Sequence, residues 1–363
     1  MNNNKIWKKL NTPVFFIAEI GKNFIQTKED RPNEEYLDNA KALVRLAKAA
    51  GADAVKFQTH NVEDEQLKVR ISSPHFFESE RYDWVRRNTG IAGPEFWREI
   101  KEYCDDLSIL FFSTPMSRGA AKILEGIGTP IWKVGSGDIL DFVMLDYIAG
   151  TGKPIIISSG MSTLEEIDKS INFLKKRTEK IILLYCVSKY PCLPEEFNLK
   201  NIIFFKNRYG LPVGFSDHSI GGGAVKEAVE MGAGVVEKHF SLSQNLWGSD
   251  HKVSMMPEGF KDMVDNIRKL GKINPNHRAG NGEKVKVELL SDDEAVFRPI
   301  FRKSLMAGRK IMAGEILKKE MVYAMRPQAY AGGLLSEEYE NVIGKRVNKN
   351  LNQYDPITQS VLI

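Results

Sequence analysis

The segment 213–240 constrains the fold more than any other part of the chain, because two short apolar runs in it flank a helical segment that is bounded by glycines. A strand, a helix and a second strand in this order are typical of the βαβ unit of a parallel sheet. His218 follows the first apolar run and His239 ends the second. Because neighbouring parallel strands end at the same edge of a sheet, we predict that the two imidazoles meet there.

The same alternation extends over most of the chain and predicts an α/β fold. Eight strand-like runs are each followed by a helical segment, at 14–20, 54–59, 109–112, 132–134, 154–157, 181–185, 213–215 and 235–236. This pattern is that of a (β/α)8 TIM barrel, which typically takes about 250 residues. We predict a barrel domain over 1–272, a polar linker over 273–296 and a small, mostly-β domain over 297–363. Residues 60–93 are predicted to form a long loop of undefined role, such as a lid.

Composition limits the class of protein. The chain is 42% hydrophobic and 27% charged, as expected of a soluble globular protein, and its net charge of +4 is too small to indicate nucleic-acid binding. A net charge of this size is equally compatible with a local basic pocket for an anionic small molecule. Three cysteines cannot build a disulfide framework, and residues 1–13 lack the apolar core of a signal peptide. We therefore expect a soluble, cytoplasmic protein.

Polar side chains stand at almost every predicted strand end, where (β/α)8 barrels place their catalytic groups. Lys56 and Lys133 lie within strands, at positions where apolar residues are the default. Buried ammonium groups need an anion, so two lysines among serine hydroxyls predict a phosphate site. The alternative is that both lysines extend outward between the helices. The strand-end residues are Glu19, Lys56, Gln58, Thr114, Lys133, Ser136, Ser158, Ser188, Tyr190, Ser216, His218 and His239.

The two strand-end histidines form a candidate metal site. Two imidazoles whose remaining coordination positions are open suit Mn²⁺ or Mg²⁺ better than a closed zinc site. Asp217 and Glu237 could orient the rings, although a pair of hydrogen-bonded core histidines would give the same pattern. The other histidines are expected on the surface or in loops, and the cysteines are expected to be inert; they are His60, His75, His251 and His277, and Cys104, Cys186 and Cys192.

These motifs resemble those of the sialic acid synthase family, the phosphoenolpyruvate-dependent synthases of nonulosonic acids. The resemblance covers nearly the whole chain and is carried by IAEIG, AGADAVKFQT, FFSTP, WKVGSGD, GKPIIISSGM, GFSDHSIG, VVEKHF and the terminal AGRKIMAGEIL and MRP. It implies that the small domain is an antifreeze-like (SAF) domain. It also implies a domain-swapped homodimer, in which the SAF domain of each subunit caps the barrel of the other.

The resemblance also implies roles for individual residues. Lys56, Lys133, Ser136, Ser158 and Ser216 match positions that bind phosphoenolpyruvate, and His218 and His239 match the metal ligands. Glu19, Gln58, Tyr190 and Asp250 match positions around the sugar and the reacting carbons. Arg326 matches the arginine that the SAF domain of a partner subunit offers to the acyl-amino group of the sugar.

The implied reaction is a metal-dependent condensation of phosphoenolpyruvate with an N-acyl amino sugar, either N-acetylmannosamine or a 6-deoxy-diacetamido hexose. Either Glu19 or metal-bound water would handle the proton at C2. This chain has Lys22-Asn23-Phe24-Ile25 where the family commonly has Asn-His-x-Gly, and Ser188 where many members have Asn. Both departures concern the sugar end. Two other functions fit the sequence less well, namely condensation with a phosphorylated sugar and carbohydrate binding by an inactive barrel.

Overall fold

The computed structural model describes residues 2–71, 80–270, 287 and 289–363. Eight parallel strands form one sheet in the order β3-β2-β1-β8-β7-β6-β5-β4, and the end strands β3 and β4 contact each other, so the sheet closes into the predicted barrel. The strands are β1 (Phe15–Gly21), β2 (Ala54–Thr59), β3 (Leu110–Pro115), β4 (Trp132–Val134), β5 (Ile155–Ser158), β6 (Ile181–Cys186), β7 (Val213–Asp217) and β8 (Val235–His239).

Helices surround the barrel and bury one apolar face each against its outer surface. The main helices are α1 (Asn3–Leu10), α2 (Asn33–Ala49), α5 (Pro94–Asp106), α6 (Arg118–Gly126), α7 (Phe142–Ala149), α8 (Leu164–Lys175), α9 (Lys200–Tyr209), α10 (Gly223–Glu230) and α11 (Pro257–Lys269). Side chains on successive strand positions alternate between the barrel interior and the layer beneath the helices. This alternation decides which strand residues can reach the functional site.

The amino end of the barrel is closed by α1, an element that the sequence analysis did not predict. Ile6 and Leu10 of this helix pack against the apolar residues that fill the lower half of the barrel, including Phe15 and Ile156. The interior at this end is therefore a packed core, and only the carboxyl end of the strands leaves room for a ligand.

Residues 60–93 were predicted to form one long loop, but most of the residues that the structure describes in this segment are helical. Two helices, α3 (Val62–Glu65) and α4 (Arg81–Ile91), lie in this segment. The buried side chains of α4 include Arg81 and Val85, so this helix packs onto the barrel. The rest of the segment, at 72–79, lies outside the described residues.

The C-terminal part packs over the carboxyl end of the barrel. Its two antiparallel strands are β9 (Ser304–Ala307) and β10 (Val322–Met325), and its short helices are α12 (Asp292–Ala295), α13 (Arg298–Phe301), α14 (Gln328–Ala331) and α15 (Tyr339–Val342). The segment 357–363 contains a 3-10 turn at Gln359–Val361 and a bridge from Leu362 to Val347. Within the described ranges, no helix is both long enough and apolar enough to cross a membrane.

Helix α12 lies inside the predicted linker and contacts the barrel. The buried Glu294 carboxylate of α12 accepts hydrogen bonds from the backbone N–H groups of Met161 (3.0 Å) and Ser188 (2.6 Å). The last part of the predicted linker therefore fixes two strand-end loops of the barrel. The exact domain boundaries stay a prediction.

Candidate active site

One cavity of about 200 Å³ opens at the carboxyl end of the barrel, and all fourteen residues that the sequence analysis selected line it. They come from seven of the eight strands (all but β6), the loops that follow the strands and the C-terminal domain. The fourteen are Glu19, Lys56, Gln58, Thr114, Lys133, Ser136, Ser158, Ser188, Tyr190, Ser216, His218, His239, Asp250 and Arg326. Their convergence follows from the inward alternation of the strand ends, and their individual roles stay predictions.

Lys56 and Lys133 point into the barrel, so the alternative that they extend outward is wrong. Both side chains are almost fully buried. Lys56 Nζ lies 2.9 Å from Glu19 Oε2 and 3.6 Å from Glu237 Oε2, and it donates to Thr114 Oγ1 at 3.1 Å. The sequence analysis placed Glu19 in the site, but it did not predict the ion pairs that Lys56 forms with Glu19 and Glu237.

The two lysines differ in how well their charge is compensated. Burial lowers the pKa of Lys56, but Glu19 and Glu237 outweigh burial and raise that pKa above its usual value. For Lys133, burial prevails and lowers the pKa, because its nearest carboxylate, Glu237, is 3.8 Å away. Lys133 Nζ donates instead to Ser158 Oγ at 2.7 Å and to the Val134 carbonyl at 3.0 Å. Lys133 is therefore the ammonium group with more to gain from an anionic ligand.

Hydroxyl groups near Lys133 converge on one point, which Gly160 leaves open. A Cβ atom on Gly160 would lie 2.3 Å from Ser188 Oγ and 2.7 Å from Ser136 Oγ, well inside van der Waals contact. Ser136 also donates to Cys186 Sγ at 3.7 Å. Several O–H donors beside a buried ammonium group suit a phosphate. Gly160 was not selected as a site residue, although it directly follows the two serines that end β5.

Cys186 is buried at the end of β6, as expected of a core residue, and its inertness stays a prediction. Its thiol lines the cavity, and Sγ lies 3.9 Å from His218 Nδ1. Burial raises the pKa of this thiol, but the adjacent His218 outweighs burial and lowers it overall.

His218 and His239 lie side by side, with ring centroids 5.5 Å apart. His218 Nδ1 is 2.7 Å from the Val187 carbonyl, which fixes the tautomer with Nδ1–H donating and leaves Nε2 available to a ligand. His239 Nδ1 is buried and has no hydrogen-bond partner among the described residues. Burial lowers the pKa of His239 to about 3, so its ring is neutral and can donate a lone pair. Tyr190 stacks on His218 with a centroid distance of 4.1 Å.

Two imidazoles with an available nitrogen each fit a divalent ion that takes its remaining ligands from water and substrate. Within the described part of the chain, no group of three or more His, Cys, Asp or Glu side chains is placed to hold a metal. A closed structural zinc site, which takes four protein ligands, therefore has no candidate donor set among these residues.

The prediction that Asp217 and Glu237 orient the histidine rings was wrong. Asp217 points to the outer face of the barrel, where its Oδ2 accepts from Lys238 Nζ at 2.6 Å. Glu237 points inward, but it accepts from Ser216 Oγ at 3.0 Å and lies close to the two site lysines. The sequence indicates the inward orientation of Glu237, because Glu237 and His239 are two positions apart in β8 and so lie on the same face of the strand.

Glu19 is the inward carboxylate of β1. Its Oε1 accepts from Gln58 Nε2 at 2.9 Å, and Oε2 faces Lys56. Burial raises the pKa of Glu19 above its usual value despite the neighbouring ammonium group. A carboxyl group with a raised pKa is suited to proton transfer near neutral pH.

Arg326 of this chain lies at the mouth of its own barrel, whereas the sequence analysis assigned this position to the SAF domain of a partner. The backbone N–H of Arg326 donates to the Glu65 carbonyl, and the Leu67 N–H donates to the Arg326 carbonyl, both at 2.8 Å. Its guanidinium pairs with Asp138, which also accepts Lys303 Nζ at 2.9 Å. These buried ion pairs join the C-terminal domain to the barrel.

His60 and His251 were expected on the surface or in loops. His60 does lie in the loop after β2, and His251 lies in a 3-10 turn, but neither is at the surface. His60 Nδ1 is 2.8 Å from Glu65 Oε2 of α3, and His251 Nδ1 is 2.6 Å from Ser241 Oγ after β8. A strand or helix period does not reveal such contacts. His75 and His277 lie outside the described residues.

Comparison with known proteins gives consistent matches over both parts of the chain. The NeuB family model matches residues 43–278, and the SAF domain model matches residues 302–362. The N,N'-diacetyllegionaminic acid synthase of Legionella pneumophila is 32% identical, over 93% of this chain and 91% of that protein. The human N-acetylneuraminate-9-phosphate synthase is 30% identical, over 96% of this chain and 93% of that protein. A spore coat polysaccharide biosynthesis protein of Bacillus subtilis has a crystal structure that matches with a TM-score of 0.74 at 27% identity, covering 97% of this chain and 96% of that chain.

Proposed function

This chain belongs to the NeuB family, and we propose that it condenses phosphoenolpyruvate with an N-acyl amino sugar to give a nonulosonic acid and phosphate, using a divalent metal ion. The observation that carries the proposal is the cavity itself. One buried ammonium group beside converging hydroxyls faces the same small space as two imidazoles with available nitrogens. The first group of residues suits a phosphate, and the second suits a divalent ion.

Lys133 would bind the phosphate of phosphoenolpyruvate together with the hydroxyls of Ser136, Ser158 and Ser188. Its weakly compensated charge favours a dianion at this position. Lys56, at 3.1 Å from Thr114, lies on the neighbouring side of the cavity and suits the carboxylate of the same molecule. Because both lysines are buried, their interactions with the bound anion are not weakened by water.

In the proposed reaction, C3 of phosphoenolpyruvate attacks the aldehyde carbon of the open-chain sugar and forms the new C–C bond. Water adds at C2, and phosphate leaves from the resulting tetrahedral carbon by C–O cleavage. A Mn²⁺ or Mg²⁺ ion held by His218 and His239 would supply polarisation of the aldehyde oxygen. Glu19, with its raised pKa, is the group we assign to the proton of the attacking water.

The sugar would occupy the part of the cavity bounded by Gln58, Tyr190, Asp250 and Arg326. The acyl-amino group is assigned to Arg326, whose guanidinium is held in place by Asp138. A fixed guanidinium is a directional donor, so it can position the sugar without further ordering cost.

Two further parts of the proposal rest on the family resemblance, namely a homodimer and a cytoplasmic location. The dimer is measurable by light scattering of the purified protein. A mass of one chain would contradict it.

The test of the function is phosphate release from phosphoenolpyruvate in the presence of Mn²⁺ and a panel of N-acyl hexosamines, including 6-deoxy diacetamido sugars. We expect release only with both substrates present, and a product mass equal to the sugar plus pyruvate. No release with any sugar, or equal release without sugar, would contradict the proposal.

The metal assignment has a separate test. We expect His239→Ala to abolish turnover and to lose the Mn²⁺ that the wild type binds in an equilibrium titration. Full turnover of the wild type in excess chelator, or unchanged Mn²⁺ binding by His239→Ala, would contradict the metal site.

A further inference from the structure

His60 is a buried histidine in the active-site cavity to which neither the condensation nor the metal site assigns a role. It follows β2 directly and lines the cavity. Its Nδ1 lies 2.8 Å from Glu65 Oε2, and its Nε2 is buried without a hydrogen-bond partner among the described residues. Glu65 therefore orients the ring and leaves Nε2 for a ligand.

The ring of His60 is a base in the free protein. Burial lowers the pKa of His60, and Glu65 does not restore the usual value, so the imidazole is neutral near pH 7. Burial raises the pKa of Glu65, but His60 and Arg326 outweigh burial and lower it, so this carboxylate is ionised. It accepts the Nδ1–H of His60 and fixes the tautomer with a lone pair on Nε2. An imidazole held in this way by a carboxylate has the arrangement of a general base.

Lys22 supplies a proton donor in the same part of the cavity. It follows β1, lines the cavity and donates to Gln58 Oε1. Its Nζ lies 4.2 Å from the ring centroid of Trp84, and the ring of His60 contacts the same indole with centroids 5.5 Å apart. Burial lowers the pKa of Lys22 to about 8, so its ammonium group is a stronger acid than that of an ordinary lysine.

Gln58 connects this acid and base to the reaction centre. Its Oε1 accepts from Lys22, and its Nε2 donates to Glu19 Oε1 at 2.9 Å. Glu19 is the group that we assign to the water attacking C2. His60 follows Gln58 by two positions, and both side chains line the cavity. The acid and the base therefore lie on the side of the cavity that the acceptor sugar would occupy, next to the reacting carbons.

The proposed condensation includes a step to which no residue has been assigned. The aldehyde that phosphoenolpyruvate attacks exists only in the open-chain sugar, whereas an N-acyl hexosamine in water is mainly a cyclic hemiacetal. Ring opening removes the proton of the C1 hydroxyl, breaks the bond between C1 and the ring oxygen, and adds a proton to that oxygen. A base and an acid that act together accelerate such a step.

From these observations we propose that the protein also opens the ring of its acceptor sugar, with His60 as the base and Lys22 as the acid. His60 Nε2 takes the proton of the C1 hydroxyl, and the electron pair of that O–H bond forms the C1=O double bond. The electrons of the bond between C1 and the ring oxygen move to the oxygen, which takes a proton from Lys22. The proton on His60 returns to Lys22 through solvent, so no further reactant is consumed. The inference rests on the proposed function, because it adds a second activity at the same site.

Polarimetry of the change from one pure anomer to the equilibrium mixture measures ring opening without phosphoenolpyruvate. Each sugar of the panel, N-acetylmannosamine included, is dissolved as one anomer with Mg²⁺ and the wild-type protein. We expect at least one sugar to reach equilibrium faster than in buffer, and His60→Phe to lose about 100-fold of the protein-dependent rate. No acceleration with any sugar, or an undiminished rate in His60→Phe, would overturn the inference.

The acid has a variant with a matched control. Lys22→Met should lower the protein-dependent rate about 100-fold. The control is Lys41→Met, which removes a lysine on the outer surface whose partner is Glu99 at 3.3 Å; its rate should equal that of the wild type. An equal rate in Lys22→Met and Lys41→Met would overturn the assignment of the acid.

A short acceptor separates ring opening from a structural role of these side chains. The aldehyde 2-acetamido-3-hydroxypropanal carries the acyl-amino group but is too short to close a hemiacetal ring. In the phosphate-release assay, per folded molecule, His60→Phe should lower kcat/KM at least about tenfold more for the ring-forming sugar than for this aldehyde. Equal losses for both acceptors would overturn the inference, because they would indicate damage to the whole site.

The two assays also separate this inference from the proposed function. If no sugar yields phosphate, the proposed function fails, while an acceleration of anomer exchange that His60→Phe abolishes still supports ring opening. If phosphate is released but the exchange of anomers is as slow as in buffer, the inference is overturned and the proposed function stands.

Discussion

Two buried lysines on opposite sides of the barrel should respond in opposite ways to the same substitution. Lys133 points into the cavity, and Lys238 points outward beneath the helices. Replacing either with Met keeps the length of the side chain and removes its charge. We expect Lys133→Met to lose catalysis with little change in stability, and Lys238→Met to lose stability with little change in catalysis.

The contacts of Lys133 give the magnitude. Burial lowers its pKa despite Glu237 at 3.8 Å, although Lys133 and Lys56 together lower the pKa of Glu237. After Lys133→Met, Lys56 still faces that carboxylate at 3.6 Å, so we expect the free protein to lose little. Replacing a poorly compensated buried charge with an apolar group should change the free energy of unfolding by about 1 kcal/mol or less. Loss of one or more charged hydrogen bonds to phosphate costs roughly 1.5–3 kcal/mol, which lowers kcat/KM for phosphoenolpyruvate about 10- to 150-fold.

Lys238 is a closely paired cation. Its side chain is fully buried, and Nζ lies 2.6 Å from Asp217 Oδ2. Lys238→Met would leave the Asp217 carboxylate buried with only a backbone N–H, that of Ser219 at 2.8 Å, to stabilise it. Breaking such a pair costs about 3–5 kcal/mol.

The assays are urea unfolding for both variants and initial rates of phosphate release per folded molecule. The reasoning is refuted if Lys133→Met unfolds as easily as Lys238→Met while its kcat/KM stays within about threefold of the wild type. That result would mean that the Lys133 ammonium group is a structural ion-pair partner and not a ligand-binding group.

Two further predictions follow from single contacts. Gly160→Ala places a methyl group 2.3 Å from the present position of Ser188 Oγ, so we expect KM for phosphoenolpyruvate to rise about tenfold; an unchanged KM in steady-state kinetics would contradict the hydroxyl site. Asp138→Asn removes the carboxylate that pairs with the buried Arg326, and urea unfolding should show a loss of about 3 kcal/mol; equal stability would contradict the ion-pair role.

The barrel and most of its site were predictable because both depend on local periods. A run of apolar residues that ends in a polar group defines a parallel strand and its carboxyl end, and the closure of the barrel brings all such ends together. Lys56 and Lys133 were recognised because charge within a buried strand needs a partner. The same rule applies to Glu237, a charged residue within β8, and would have placed its carboxylate between the ammonium groups of Lys56 and Lys133.

The errors concern contacts between segments that are distant in sequence. His60 and His251 were expected on the surface or in loops, and their burial was not predicted, because no strand or helix period reveals their contacts with Glu65 of α3 and with Ser241 after β8. Residues 60–93 contain helices that are stabilised by packing on the barrel and on the C-terminal domain, as in the backbone bonds between Arg326 and α3. Such helices have little local signal, because tertiary contacts provide most of their stability.

The sequence alone determined the class of fold, the family and the set of side chains at the carboxyl ends of the strands, because a two-residue period and a strand end are local properties. Only the tertiary structure decided how their charges are distributed. It showed that Lys56 is neutralised by two carboxylates, that Lys133 is not, and that Arg326 is fixed by Asp138. Pairing depends on distances of a few ångströms between strands that the sequence separates by up to two hundred residues, and electrostatic energy changes steeply over such distances.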